Sequence, residues 1–230
     1  MTTVSSSERL LKTICGSCLI LAPAVLLVGG ALHPEETTDA ARQYEIIADN
    51  LGRWELAHWL ISASMLLMLG AVVGLAHLLH EHRPAEGIVG GAATMCGVMA
   101  LFAVAGAEAA IVPQMGRSGD AQLFERIVTS GGWWVLLGAV LLLPLGLIIM
   151  SYGMYRSRVT QTWVAGTIAL GSVAFAVSLP TGSPVAFIIG LVLMLVGLAR
   201  VGWSMLTASD DQWRHPPQVG DQLAAKPPLA

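Results

Sequence analysis

The sequence predicts an all-α, polytopic transmembrane helical bundle: six spanning helices with both chain ends on the cytoplasmic side. Three observations carry that expectation. Hydrophobic residues make up 55% of the chain and charged residues only 12%, about half the charged share of an ordinary soluble domain. The apolar residues gather into six long runs separated by short polar turns, and about 20 apolar residues suffice to cross a hydrocarbon core. Lys and Arg are distributed unevenly over the turns, which orients the bundle.

Residues 1–8 are a short, polar and mobile lead. The first span covers 11–32. Arg9 and Lys12 ahead of an apolar run resemble a signal peptide, but the run is long and no small-x-small cleavage site precedes His33-Pro34, so it reads as a retained helix. Pro23 removes a backbone donor inside it and predicts a kink. Loop 33–53 is acidic, with Glu35, Glu36, Asp39, Glu45 and Asp49 against Arg42 and Arg53. Tyr44, Ile47 and Leu51 recur at helical spacing, which suits a short helix along the interface.

The second span, 54–80, opens with GRWELAHW, and Trp54 and Trp59 read as interfacial anchors. His77, His80, His82 and Arg83 form its polar exit, a solvated helix end where polar tips snorkel. Pro84 breaks the chain before the third span, 87–112, whose first half is dense in small residues that favour close helix contact: Gly87, Gly90, Gly91, Ala92, Ala93 and Gly97. Glu108 lies in its second half and Pro113 ends it. Leu123 and Ile127 suggest an amphipathic turn in the loop that follows. The fourth span, 133–155, carries Pro144 as a kink, and its GGWWVLLG opening weakly echoes GRWELAHW; independent aromatic anchoring explains that echo better than a repeat. The fifth and sixth spans cover 162–179 and 185–206, joined by PTGSP. Residues 1–206 thus form the transmembrane domain and 207–230 a disordered cytoplasmic tail.

Arg9, Lys12, Arg83, Arg156, Arg158, Arg200, Arg214 and Lys226 fall on one side of this topology, and Arg42, Arg53, Arg117 and Arg126 on the other. The positive-inside rule then puts both ends in the cytoplasm of a plasma-membrane protein, with loops 33–53 and 113–131 facing out. The net charge of −3 comes without a basic patch, which argues against a nucleic-acid partner. Cys15 and Cys18 form a CxxC at the cytoplasmic start of the first span, where a reducing compartment makes two small packing residues the expected reading.

Ionisable residues inside a span are candidate functional groups, because something must offset their desolvation. Glu108 and His58 lie at matching depth near the outer end of consecutive spans. Glu55 and Ser62 share the His58 face at i−3 and i+4, and His33 closes the first span at the same level. Three readings are open. His58 and Glu108 can pair as structural glue between spans. His58, Glu108, Glu55 and Ser62 can line an outward-facing pocket for a hydrophobic small molecule or lipid. His33, His58 and Glu108 can form a two-His-one-carboxylate metal site. The functional expectation is a binding protein or accessory subunit whose partners are the bilayer and a hydrophobic small molecule. The alternative is a membrane-embedded enzyme acting on a lipid or quinone, with or without the help of a metal. No nucleotide loop, triad or nucleophile elbow is visible, and no cofactor follows from the residues.

A first span ending GGALHP, the acidic outer loop and GRWELAHW at the head of the second span resemble small bacterial six-helix integral membrane proteins of uncharacterised function. That resemblance implies the topology and no activity.

Overall fold

The computed structural model describes residues 6–37, 39–216 and 218, and among them every regular element is a helix. Six helical segments are long and apolar enough to cross a membrane. The first is α1 (Ser6–Leu32), which runs unbroken through Pro23. A hydroxyl ties it to the next span: Ser64 Oγ donates to the Ala22 carbonyl at 2.9 Å. The second span is α3 (Leu51–Leu79).

Two of the remaining spans are interrupted where prolines fall. The third consists of α4 (Pro84–Ala110) and α5 (Val112–Ser118), separated at Ile111, with Pro113 in the first turn of α5. The fourth consists of α7 (Gly131–Val140) and α8 (Leu142–Ser157), separated at Leu141, with Pro144 in the first turn of α8. Proline has no N–H to give to a carbonyl four residues back; the ladder breaks just before Pro113 and Pro144, whereas α1 stays helical across Pro23 with one bond missing. The fifth and sixth spans are α9 (Thr162–Thr181) and α10 (Pro184–Thr207), joined through Gly182 in a left-handed conformation with φ 61°.

The spans close into a ring in chain order. α1 packs on α3, α3 on α4, α4 on α8, α8 on α9, α9 on α10, and α10 back on α1. Met65, Met68, Leu147, Met150 and Met154 fill the interior and are fully buried. The CxxC cysteines pack between helices: Cys15 and Cys18 lie where a Cβ on Gly74 or Gly70 would stand, so they serve as the small residues expected.

A second, smaller core caps one end of the ring. There α2 (Ala40–Asp49), α5 and α6 (Ala121–Val128) gather Ile47, Trp54, Val112, Met115 and Phe124. Tyr44 fastens it by donating to the Met115 carbonyl at 3.0 Å. The short helix expected in loop 33–53 is therefore present as α2. In α6 it is Phe124 that turns inward, while Leu123 stays exposed.

The opposite end departs from expectation. Part of the stretch read as a disordered tail is the short α11 (Asp210–Arg214), closed by a Ser209–Gln212 capping box and seated by a buried Trp213. Asp210 pairs with Arg9 and Lys12, and Lys12 holds its carboxyl below the usual range. His77 stacks on Trp213 with ring centroids 3.9 Å apart and donates to its carbonyl at 2.8 Å. His82 donates to the Pro216 carbonyl at 2.9 Å. The histidines read as a solvated helix end thus hold a chain segment in place. Of the lead expected to be mobile at 1–8, residues 6–8 instead form the first turn of α1; residues 1–5 and the remainder of the expected tail, at 217 and 219–230, fall outside the described residues.

Candidate functional site

The site lies at the capped end, where the chain leaves α1 and meets the first turns of α3 and the last turns of α4. Arg53, just inside α3, donates through Nε to the Leu32 carbonyl at 2.6 Å, one of the carbonyls a helix end leaves without an intrahelical partner. That contact draws His33 against α3. The His33 ring then packs against Trp54 and His58, with centroids 4.8 and 4.7 Å away.

The polar atoms form one chain. His58 Nε2 lies 3.0 Å from Glu108 Oε2 and 3.2 Å from His33 Nε2. His33 Nε2 is also 3.5 Å from Glu36 Oε1. Each ring's Nδ1 faces a carbonyl oxygen at 2.8 Å, that of Pro34 for His33 and that of Trp54 for His58. A carbonyl only accepts, so both Nδ1 atoms carry protons. With both rings neutral, two Nε2 lone pairs would then face each other beside a carboxylate. A further proton on His58 Nε2 resolves the conflict, since it donates towards Glu108 and His33 together. His33 stays the neutral acceptor: burial and the charge of His58 push its pKa down to about 4.

Exposure is graded along the chain: side-chain accessibility is 63% at Glu36, 22% at Glu108, 11% at His33 and 3% at His58. The expected outward-facing pocket is therefore not an open one, because His58 is packed away beneath its neighbours. No protein-family model, curated protein or solved structure matches this chain.

Of the sequence-predicted residues, His33, His58 and Glu108 come together. Glu55 does not; it turns to α5 and pairs with Arg117 at 2.8 Å. Ser62 lies one turn further into α3, buried, with no hydrogen-bond partner for its hydroxyl among the described residues. His33, His58 and Glu108 converge in pairs, yet among the described residues no group of three or more His, Cys, Asp or Glu is arranged to hold a metal ion.

Two participants were missed. Trp54 is not an exposed interfacial anchor: it is 3% exposed, packs its ring against His58 at 4.4 Å with a 33° tilt, and donates through Nε1 to the Glu108 carbonyl at 3.0 Å. Its position four residues before His58, hence on the same helix face, was the available signal. Trp59, by contrast, is exposed as an anchor should be. In the sequence Glu36 is one acid among several in loop 33–53. Its closeness to His33 at i+3 was legible, but the path of a non-helical loop was not.

Proposed function

We propose that this polytopic membrane protein is a plasma-membrane binding protein or accessory subunit, with both ends in the cytoplasm. In this reading the His33–His58–Glu108 cluster faces the outer leaflet and engages the polar head of a small hydrophobic molecule. The observation that carries the reading is the two imidazole Nε2 atoms and the Glu108 carboxylate brought together by three separate segments. Such a cluster offers a ligand both a proton and an acceptor. Buried ionisable groups in a span are costly enough that a purely mechanical role is a weak explanation. The orphaned Ser62 hydroxyl one turn deeper supplies a further polar contact. The ligand's body would lie along exposed Leu56, Trp59 and Ile111.

Trp54 provides a built-in reporter, since its indole packs against His58. A short-chain quinone, a lipid-soluble hydrogen-bond acceptor, titrated into the detergent-purified protein should quench fluorescence saturably. His58→Gln and Glu108→Gln should each weaken that binding by about tenfold, the worth of one charge-assisted hydrogen bond. Equal quenching in wild type and both variants would refute the site.

A membrane-embedded enzyme acting on a lipid or quinone is the second reading. The 3.0 Å His58–Glu108 contact favours it, because a histidine–carboxylate pair at that distance can pass a proton to a bound substrate. Turnover abolished in a folded Glu108→Gln protein that still binds would select the enzyme over the binding protein.

A further inference from the structure

At the other end of the ring lies a cavity of about 360 Å³, between the end of α3, the turn before α9, the last turns of α10 and α11. Among the described residues its lining contains one formally charged side chain, Arg200, and no carboxylate. Among the described residues the Arg200 guanidinium has no hydrogen-bond or ion-pair partner, although Arg9, Arg83 and Arg117 all pair with acids.

Two glutamines complete the lining, and both are already committed as acceptors. Gln161 Oε1 accepts from Trp163 Nε1 at 2.7 Å, and Gln212 Oε1 accepts from the Ser209 amide at 2.9 Å. That fixes each amide group, because the oxygen is engaged and only the NH2 remains to offer. Neither NH2 has a partner among the described residues. The cavity therefore presents a guanidinium and two amide donors, with no anionic side chain among the described residues of its lining to receive them.

Donors of this kind around a guanidinium suit a phosphate group, whose several oxygens a planar fork can meet in pairs. Trp203 and Trp163 flank the site, exposed at 61% and 50%, and indoles favour the depth of phospholipid head groups. We propose that this cavity is a binding site for a phosphate-bearing anion, held by Arg200, Gln161 and Gln212. The proposal stands apart from the reading of the His58–Glu108 cluster. Because Gln212 belongs to α11, the bound anion fastens that segment to α9 and α10.

The test uses the full chain in neutral detergent, with thermal unfolding and Trp fluorescence as readouts. Three probes are titrated: short-chain phosphatidylglycerol, the matching diacylglycerol without phosphate, and inorganic phosphate. The expected result is saturable binding and a raised unfolding temperature with phosphatidylglycerol and no effect of diacylglycerol. A response to inorganic phosphate alone supports the same chemistry with a free anion as ligand; a response to phosphatidylglycerol alone assigns it to lipid. Arg200→Gln should weaken binding by about tenfold or more, the loss of one charge-assisted hydrogen bond, and Arg200→Lys should recover part of it. Gln161→Glu, which places an acid in the lining without changing its size, should weaken binding to a similar degree and guards against a folding defect in the Arg200 variants. Diacylglycerol matching phosphatidylglycerol, binding unchanged in folded Arg200→Gln and Gln161→Glu, or no saturable response to either phosphate probe would each overturn the proposal.

Discussion

His33 makes the charge state of the histidine cluster measurable, because its ring is nearly buried and sits beside the His58 imidazole. Its pKa falls from 6.5 to about 4, through burial first and the His58 charge second, with Arg53 adding to the effect and Glu108 opposing it. A histidine with a depressed pKa binds more protons unfolded than folded at any pH between those values. Stability from this group is therefore complete above about 6.5 and is lost as pH falls towards 4. From pH 7 to pH 5 the loss should be about 2 kcal/mol, read as a lower unfolding temperature in mild detergent. His33→Gln should flatten that slope, whatever it does to stability at neutral pH. An equal slope in the variant would assign the acid sensitivity to other groups. The partnership of His58 and Glu108 is separable in the same assay. His58→Gln and Glu108→Gln should show a coupling of about 1 kcal/mol or more in a double-mutant cycle, because residues in one hydrogen-bond network are not additive.

Between elements, close approach is achieved by removing side chains. A Cβ on Gly97 would meet the Leu143 backbone, and one on Gly146 would meet the Gly90 carbonyl and Thr94 amide, so α4 and α8 touch main chain to main chain. The small-residue density at the start of the third span made such a contact legible, and Gly87, Gly90, Gly91 and Gly97 are indeed buried. Its partner was not legible, because Gly146 acquires its role only from the place where the fourth span breaks near Pro144. Gly97→Ala should destabilise by about 1–3 kcal/mol or more, as overpacking does. Gly106→Ala, in the same helix with nothing within 4 Å of the added carbon, should be neutral or slightly stabilising, since alanine is the better helix former. Comparable losses for both would mean that α4 tolerates no methyl anywhere, and the glycine contact would then explain nothing.

Across the whole molecule, the spans were readable because lipid imposes one requirement on all of them: long apolar runs with internally satisfied backbones. Depth was readable too, since residue position along a span fixes it, and this placed His33, His58 and Glu108 in one layer. Azimuth was not. Helical spacing groups Glu55 with His58, three residues away, yet Arg117 on α5 draws it elsewhere. The ends of the bundle were least legible. Their order comes from contacts between segments far apart in the chain, such as Trp213 on His77 and Tyr44 on Met115. No local pattern encodes those pairs.

The two ends have opposite chemistry, and that asymmetry supports a definite orientation. The α2–α5–α6 cap carries the acceptor-rich His33–His58–Glu108 cluster, whereas the other end carries Arg83, Arg156, Arg158 and Arg200 together with the donor-lined cavity. The inner leaflet of a plasma membrane is the anionic one, and it attracts Lys and Arg near its surface. Both proposed sites are therefore placed sensibly only if the basic end is cytoplasmic: the phosphate site then meets the anionic leaflet and the titratable cluster meets the outside medium. Single cysteines in a background lacking Cys15, Cys18 and Cys96 test this directly. Gln122 on α6 and Ala85 at the start of α4 are both exposed, at opposite ends. A membrane-impermeant maleimide applied to intact cells should label Gln122→Cys and leave Ala85→Cys untouched until the cells are opened. The reverse pattern would turn the molecule over, leave the phosphate cavity facing the wrong leaflet, and place the histidine cluster where external pH cannot reach it.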